Sequence, residues 1–313
     1  MKSIPRHTEC DPRSSVLLGI LVSCLLGCSS SENPISPPAR GPITVNDGSP
    51  AWSPDGQWVA FHRGGPANLP AQWGLYKIKS DGTEETMLLP SSQSPHIASI
   101  DWSDQDWLLV STLSGSVYKI RPDGLNRTAL YSGLAQRASW SPDGSQIVLR
   151  PDFALMLMDS MGQALRLLDP ADSVFRGEQL MPDWGPNGKV LHLRWIASQN
   201  YPLIAEVDPV TLLVDVLDSG FATGWYSYPA YASDKAFLFV RYIDGQHPQL
   251  LRIDSVGTTA RCLTCRDPLN EGGNEFSVHI PSGRVAYSNT RHGGISVMDA
   301  DGSNERVLTH PGS

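Results

Sequence analysis

Six short segments of this chain repeat one pattern, in which an aromatic residue or a histidine is followed by a tight polar turn and then by an apolar run. The segments recur roughly every 45 residues, a period that is typical of solenoids and propellers. A unit of this length is one supersecondary element that buries its faces only against neighbouring units. The anchors of the six segments are Trp52, Trp102, Trp140, Trp184, Tyr231 and His279.

The third repeat predicts four short strands. Its anchor is followed by Ser141-Pro142-Asp143-Gly144, a turn sequence in which proline fixes its own φ and glycine tolerates a positive φ. Apolar and β-branched runs bounded by such residues predict strands. These strands cover 138–140, 146–149, 154–158 and 165–168. We therefore predict an all-β chain, a six-bladed β-propeller of four-stranded antiparallel blades over residues 42–313.

Two segments compete for the last strand of the ring. Residues 42–45 precede the first anchor as a fourth strand precedes the next blade, so they are suited to lie on the last blade. Residues 306–309 also read as the fourth strand of that blade. The sequence leaves open which of them closes the propeller.

The first 27 residues read as a secretory leader. Lys2, Arg6 and Arg13 precede a short apolar stretch that is too short for a comfortable membrane span. The leader ends in Leu-Leu-Gly before Cys28, which resembles the box of bacterial lipoproteins, in which the cysteine is lipidated. Cys24 fits the same pattern after a shorter apolar run. Residues 28–41 then form a polar tether, so we expect a lipid-anchored protein of the cell envelope, at the outer membrane facing the periplasm or the surface.

Charge excludes one class of partner. The chain carries a net charge of −8, and removal of a leader with three basic and two acidic residues leaves −9. A protein that binds nucleic acid needs basic patches, and no basic run occurs in this sequence. We expect no nucleic-acid partner, no cofactor and a monomer.

Cys262 and Cys265 are separated by two residues. If both lay on one extended strand, their Cα atoms would be about 10 Å apart, which is beyond disulfide reach. A bend after Leu263 would allow a local disulfide, which an oxidising compartment favours. The pair is therefore predicted as a structural bridge or as free thiols rather than as a redox site, because thioredoxin-like motifs stand at a helix start.

The Trp-Ser-Pro-Asp-Gly turns, the apolar runs after them, the Asp-Ala-Asp-Gly turn at 299–302 and the closing Arg-Val-Leu-Thr at 306–309 resemble the TolB-type, WD-like propeller repeat. The resemblance covers residues 42–310. It implies a propeller without the α/β domain that precedes the TolB propeller. Members of this repeat family serve as binding platforms, as caps on peptidases and in some cases as enzymes.

A binding site is expected on the face that carries the loops between second and third strands, since long variable loops usually carry function. Ten residues after the anchors, neighbouring blades place Arg150, Arg194 and Arg241 there. Arg63 lies nearby. Arginine forks beside aromatic rings suit carboxylates, sugars or extended peptides. The aromatic candidates are Trp195, Trp225 and Tyr226. Ordinary loop packing and pairing with carboxylates is the alternative for all six residues.

Three histidines support a different hypothesis. His62, His247 and His292 fall on loops of blades one, five and six, and His96 lies in an adjacent connection. Histidines from several blades are suited to bind a metal ion, and some propeller lyases that act on pectin fragments hold a metal in this way. No H-x-H or H-E-x-x-H spacing supports a metal site here, so scattered surface histidines are the alternative. The sequence thus favours a non-enzymatic platform for a protein or glycan, with a metal-dependent polysaccharide lyase as the alternative.

Overall fold

A computed structural model describes residues 45–65, 72–93, 96–151, 154–169, 181–194, 203–217, 225–242, 248–255, 259–265, 275–289 and 292–311. These residues form six four-stranded sheets, and each sheet takes its strands from consecutive chain segments in antiparallel order. The predicted all-β, six-bladed propeller is confirmed. Cys24, Cys28, Trp195 and His247 lie outside the described residues.

The first three blades follow the four-strand pattern predicted for each repeat. Their strands are β1 (Asn46–Trp52), β2 (Trp58–Gly64), β3 (Gly74–Lys79), β4 (Thr86–Pro90), β5 (Ile97–Trp102), β6 (Leu108–Thr112), β7 (Ser116–Ile120), β8 (Thr128–Ser132), β9 (Ala135–Trp140), β10 (Gln146–Pro151), β11 (Leu155–Asp159) and β12 (Arg166–Asp169).

The last three blades have shorter outer strands. Their strands are β13 (Asp183–Trp184), β14 (Val190–Arg194), β15 (Leu203–Val207), β16 (Val214–Val216), β17 (Trp225–Tyr231), β18 (Phe237–Tyr242), β19 (Gln249–Ile253), β20 (Arg261–Cys262), β21 (Phe276–His279), β22 (Arg284–Asn289), β23 (Gly294–Met298) and β24 (Arg306–Val307).

The turn after the first strand of blade 1 is held by its own side chains. Ser53 Oγ donates to Asp55 Oδ1 at 2.6 Å, and the backbone N–H of Trp58 donates back to Ser53 Oγ at 2.9 Å. Gly56 closes the turn with φ of 65°. Ser141, Asp143 and Gly144 repeat this arrangement in blade 3. The residues of each repeated turn therefore supply the local bonds that reverse the chain.

Six apolar clusters among the described residues each lie between two adjacent blades. Trp140, for example, packs with Ile147 and Leu149 against Leu109 and Val117 of blade 2. Trp52, Trp102, Trp184 and Tyr231 likewise sit between their own blade and the preceding one. Packing between the blades, as predicted for the four tryptophans, therefore holds the ring together.

The sixth anchor is displaced by one residue. Val278, not His279, pairs with Val285 and packs towards blade 5, as the other anchors pack towards their preceding blades. His279 faces blade 1, where its ring centroid lies 5.8 Å from that of Trp52 and Nε2 is 3.0 Å from the carbonyl oxygen of Pro54. The histidine therefore joins the last blade to the first instead of packing as an anchor.

The fourth strand of blade 6 is β24, which pairs with β23. Leu308, just after it, packs into the cluster shared by blades 6 and 1. A backbone bond from the N–H of Asp47 to the carbonyl of Gly293, 2.7 Å long, also joins these two blades. Of the competing segments, 306–309 thus supplies this strand, and residues 42–44 lie outside the described residues.

Cys262 and Cys265 form a disulfide, with their Cα atoms 5.6 Å apart. Strand β20 ends at Cys262, and the chain bends at Leu263 and Thr264 before it reaches Cys265. The predicted local bend therefore occurs.

In the described part of the chain, no helix has the length and apolar character that a membrane crossing requires.

Candidate functional site

The three predicted arginines do not all lie on the same side of their blades. Trp140 pairs with Ile147, whereas Trp184 pairs with Val190, so the first turn of blade 4 is one residue shorter than that of blade 3. Because side chains alternate across a strand, a shift of one residue moves a side chain to the opposite side of its blade. A fixed count of ten from each anchor therefore selects different sides in different blades.

Arg150 and Arg194 nevertheless converge on one boundary. Val148 and Val190 both pack between blades 3 and 4, and the arginines follow them at even spacing, so both point to that boundary. Arg241 follows Phe237 and Phe239, which pack between blades 4 and 5. The structure therefore brings two of the three arginines to one boundary and places Arg241 at the next.

The aromatic candidates at this face are described in part. Trp225 and Tyr226 begin β17, where their backbones pair with Tyr242 and Arg241. Trp195 lies beyond the described residues. The proposed combination of arginine forks and aromatic rings therefore remains a prediction.

Arg63 has a structural role instead. Its guanidinium is buried, with Nε and Nη2 donating to the two carboxylate oxygens of Asp47 at 2.7 and 2.9 Å. Nη1 and Nη2 donate to Glu85 at 2.5 and 3.0 Å. The guanidinium carbon also lies 4.8 Å from the ring centroid of Tyr76. Arg63 is thus committed to ties within blade 1.

A cavity of about 530 Å³ opens on the loop face beside blades 1 and 6. His62 and His96 line it. Burial and then the nearby charge of His96 lower the pKa of His62 to about 4, so the His62 imidazole is neutral at neutral pH. His292 is exposed in the loop after β22. No group of three histidine, cysteine or acidic side chains within the described ranges is placed to hold a metal ion.

A second cavity, the axial cavity, lies at the centre of the ring and has a volume of about 340 Å³. The first strands or first turns of all six blades line it, including Pro54, Pro142, Pro186 and Pro281 of the turns. The cavity therefore opens on the face that carries the Pro-Asp-Gly turns, the turn face, which lies opposite the loop face. Glu275 and Tyr228 line both cavities, so the two cavities are neighbours at these residues.

One set of axial residues lies three positions before an anchor. Ser49, Ser99, Arg137 and Tyr228 hold this position in blades 1, 2, 3 and 5, and Glu275 holds it relative to Val278. The strand register shifts around Ser49 and Tyr228, whose φ values are 50° and 55°. Positive φ is unusual for such residues, and bulges redirect side chains. Strands β1 and β17 therefore bend where they meet the axis.

A second set lies one position before an anchor and joins neighbouring blades. Asp101 Oδ2 accepts from the backbone N–H of Trp140 at 2.7 Å, and Asp183 Oδ2 accepts from that of Tyr231 at 2.8 Å. Ser139 and Ser277 accept from the N–H groups of Trp184 and Trp52, each at 3.3 Å. Each bond runs to the next blade, and the bond from Ser277 spans the closure of the ring.

The axial carboxylates are held in an unfavourable environment. Burial is the largest cause of the raised pKa of Asp101. Its hydrogen bonds and the charge of Arg137 lower the pKa but only partly offset that rise. Burial, together with the charge of Asp101, raises the pKa of Asp183 to about 7. Asp183 therefore exchanges its proton near neutral pH.

Arg137 is the cation nearest to these acids. Its guanidinium carbon lies 4.1 Å from the ring centroid of Tyr228, two blades away, and its buried Nε has no hydrogen-bond partner among the described residues. Arg137 acts on both aspartates through its charge, without a hydrogen bond to either. Glu275 accepts hydrogen bonds from the backbone N–H and the hydroxyl of Ser49.

The arrangement is that of a binding site, a concave space lined by charged groups and by prolines of the turns. The sequence analysis places the binding site on the variable loops, whereas these residues lie on the strands before each anchor. A usable signal was present: Asp101 and Asp183 directly precede anchor tryptophans. Charged residues next to core tryptophans are unusual, since charges are seldom buried without partners.

No protein-family model matches the chain, and no curated protein matches it. Solved structures with the same fold do. TolB from Acinetobacter baumannii is 17% identical, with a TM-score of 0.62 over 84% of this chain and 63% of that chain. Oligogalacturonate lyase from Vibrio parahaemolyticus is 11% identical, with a TM-score of 0.52 over 87% of this chain and 81% of that one.

A structure from a nidogen/laminin complex gives a TM-score of 0.58 at 13% identity, over 85% of this chain and 93% of that chain. At such identities the likeness concerns the fold, and the TolB-like propeller is confirmed at that level. These structures include one from a protein complex and one of a lyase, and fold alone does not assign an activity.

Proposed function

We propose that this chain is a non-enzymatic binding module of the bacterial cell envelope, lipid-anchored at Cys28, that captures a protein or glycan partner. The observation that carries the proposal is the axial cavity, which all six blades line and which encloses Asp101, Arg137 and Asp183. A concave site with a few fixed polar groups is the usual form of a ligand site.

The cost of these groups supports a functional role. Two half-buried carboxylates without an ion pair to Arg137 destabilise the fold, because partial loss of solvent disfavours their charged forms. Neutral residues would avoid this cost. Proteins tolerate such departures from a stable design chiefly at functional sites. We therefore assign Asp101 and Asp183 to ligand binding on the turn face.

The envelope location is supported by the leader, the lipobox-like segment and the disulfide. Disulfides persist in oxidising compartments outside the cytosol, and the Cys262–Cys265 bridge fits such a location. The polar tether 28–41 would let the propeller stand away from the bilayer. Lipid at Cys28 would supply the membrane attachment, since several acyl chains hold a protein stably where one does not.

Lipidation can be tested by residue replacement. Cys28→Ala should abolish the incorporation of labelled fatty acid and move the protein from the membrane fraction to the soluble fraction. Cys24→Ala, the matched control, should leave labelling and fractionation unchanged. If Cys24→Ala abolishes labelling and Cys28→Ala does not, Cys24 is the lipidated residue. If the wild-type protein incorporates no labelled fatty acid, the lipid anchor is contradicted.

The partner can be sought by affinity capture of the full chain from envelope extract. Three forms are compared: the wild type, an axial variant (Asp101→Asn, Asp183→Asn) and a loop-face variant (Arg150→Ala, Arg194→Ala, Arg241→Ala). We expect the wild type to capture a defined protein or glycan and the axial variant to lose it. The melting temperature of each variant verifies that it folds.

If only the loop-face variant loses the partner, the binding site lies at Arg150, Arg194 and Arg241, as the sequence predicts. The axial cavity is then not the binding site. Equal capture by all three forms would contradict both sites. Capture of nothing by the wild type would contradict the binding function itself.

A further inference from the structure

Acidic side chains outnumber basic ones in the lining of the axial cavity. Asp101, Asp104, Asp183 and Glu275 line it, and Arg137 is the cation whose charge acts on Asp101 and Asp183. Arg137 lies over the ring of Tyr228 rather than against a carboxylate. A buried charge without a close partner is expensive, so a ligand that brings a positive charge would be favoured.

Hydrogen bonding singles out one acceptor. Both oxygens of Asp101 accept backbone N–H groups, Oδ1 that of Trp102 at 2.9 Å and Oδ2 that of Trp140 at 2.7 Å. Asp183 uses Oδ2 for the N–H of Tyr231, and the described residues offer no hydrogen bond to Oδ1. Asp183 Oδ1 is therefore available to a donor on a ligand.

The walls favour an organic cation over a hydrated metal ion. Prolines of four blades form the rim, and residues Trp52, Trp102, Trp140 and Trp184 also line the cavity. Guanidinium and ammonium groups at the end of aliphatic stems combine apolar contact with charge, and they are attracted to aromatic faces. A volume of about 340 Å³ is at the small end of the range for ligand pockets, so the cavity suits a single side chain.

We infer that the axial cavity binds the cationic side chain of a protein partner, an arginine or a lysine that enters from the turn face and donates to Asp183. This inference rests on the proposed binding function and makes it specific. It selects a protein over a glycan and the turn face over the loop face. Arginine suits the site especially well, because its planar fork presents several donors at once.

Binding should strengthen as the pH rises from 6 to 8. The ionised form of Asp183 attracts a cation, and its pKa of about 7 means that this form becomes dominant over that interval. Tyr231 contributes its backbone N–H here, and its hydroxyl donates to Glu206. The other titratable groups that line the cavity are Asp101, Asp104, Arg137, Tyr228, Glu275 and His279.

The test uses small probes and the full chain. N-acetyl-arginine amide, its neutral isostere N-acetyl-citrulline amide and N-acetyl-aspartate amide are titrated separately, with tryptophan fluorescence as readout. We expect the arginine probe to bind at least tenfold more tightly than the citrulline probe at pH 8. Asp183→Asn should weaken binding of the arginine probe at least tenfold and remove the pH dependence of that binding. Asp234→Asn, at an exposed turn residue, is the matched control and should change neither.

Equal affinity for the arginine and citrulline probes would overturn the inference, since charge would then play no part. Tighter binding of the aspartate probe would also overturn it and would identify Arg137 as the ligand-binding group. An unchanged affinity in Asp183→Asn would place the cation elsewhere. The melting temperature of each variant shows that a lost signal is not lost folding.

The two proposals fail separately. If the wild-type protein binds the arginine probe but captures nothing from envelope extract, the cation site is supported and the proposed binding function is contradicted. If it captures a partner through the axial residues but does not bind the arginine probe, the binding function is supported and the cation site is contradicted.

Discussion

Replacing Arg63 with methionine should lower the free energy of unfolding by about 3–5 kcal/mol, the cost of breaking a buried ion pair from one side. The guanidinium donates to both oxygens of Asp47 and to both oxygens of Glu85. Burial already raises the pKa of Asp47, and the bonds from Arg63 oppose that rise. Without Arg63, Asp47 would remain buried beside the carboxylate of Glu85 with no cation.

Urea denaturation at pH 7 measures this effect. Arg63→Met combined with Asp47→Asn should recover part of the loss, because no buried charge is then left without a partner. Arg261→Met, at an exposed arginine, should change the stability by about 0.5 kcal/mol or less. A loss below about 1 kcal/mol for Arg63→Met would mean that the pair contributes no more than an exposed one.

Asp183→Asn should stabilise the protein at alkaline pH by about 4 kcal/mol relative to the wild type, the energy that corresponds to the shift in the pKa of Asp183. The pKa of Asp183 is about 7 in the folded state and 3.8 as an ordinary aspartate. Between these values the folded protein holds a proton that the unfolded chain has released. The corresponding stability is fully present below pH 4 and is lost as the pH rises through 7. Asparagine stays neutral, and its side-chain oxygen can replace Asp183 Oδ2 as the acceptor for the N–H of Tyr231.

Unfolding at a series of pH values from 4 to 8 separates the two forms. The wild type should lose stability relative to Asp183→Asn across this range, with the difference largest at pH 8 and small near pH 4. Asp234→Asn, at an exposed carboxylate, should run parallel to the wild type. A constant difference between Asp183→Asn and the wild type would contradict the assigned titration.

Together with the cation probe, this prediction couples stability to function. The variant that gains stability at pH 8 is the one expected to lose the ligand. Such opposition is common where a site holds groups that the fold alone would not favour. A bound cation should restore at pH 8 part of the stability that ionised Asp183 costs, because binding to the folded state alone stabilises it.

Much of the fold was readable from local signals. The Ser-Pro-Asp-Gly turns contain their own hydrogen-bonding partners, so the turn at Ser141 forms from residues adjacent in sequence. The strands of the third repeat were predicted within a few residues of β9 to β12. The bend that joins Cys262 to Cys265 also depends only on neighbouring residues. Local interactions of this kind are written in the sequence.

The loop-face site was harder to predict, because it depended on counting from the anchors. Turn length differs by one residue between blades 3 and 4, and this difference changes which side of a blade a residue occupies. The sixth anchor was misplaced for a related reason, since His279 stands beside the true packing residue, Val278. Strand register needs both partners, and the sequence shows one strand at a time.

By itself, then, the sequence determined that this protein is a ring of six like blades, because period, turns and apolar runs act over short distances. Only the tertiary structure decided what meets at the axis. Asp101, Arg137, Asp183, Tyr228 and Glu275 come from five blades and are far apart along the chain. Their pKa values and partners depend on burial and on charges from other blades. Ring closure creates these effects, and no single repeat contains them.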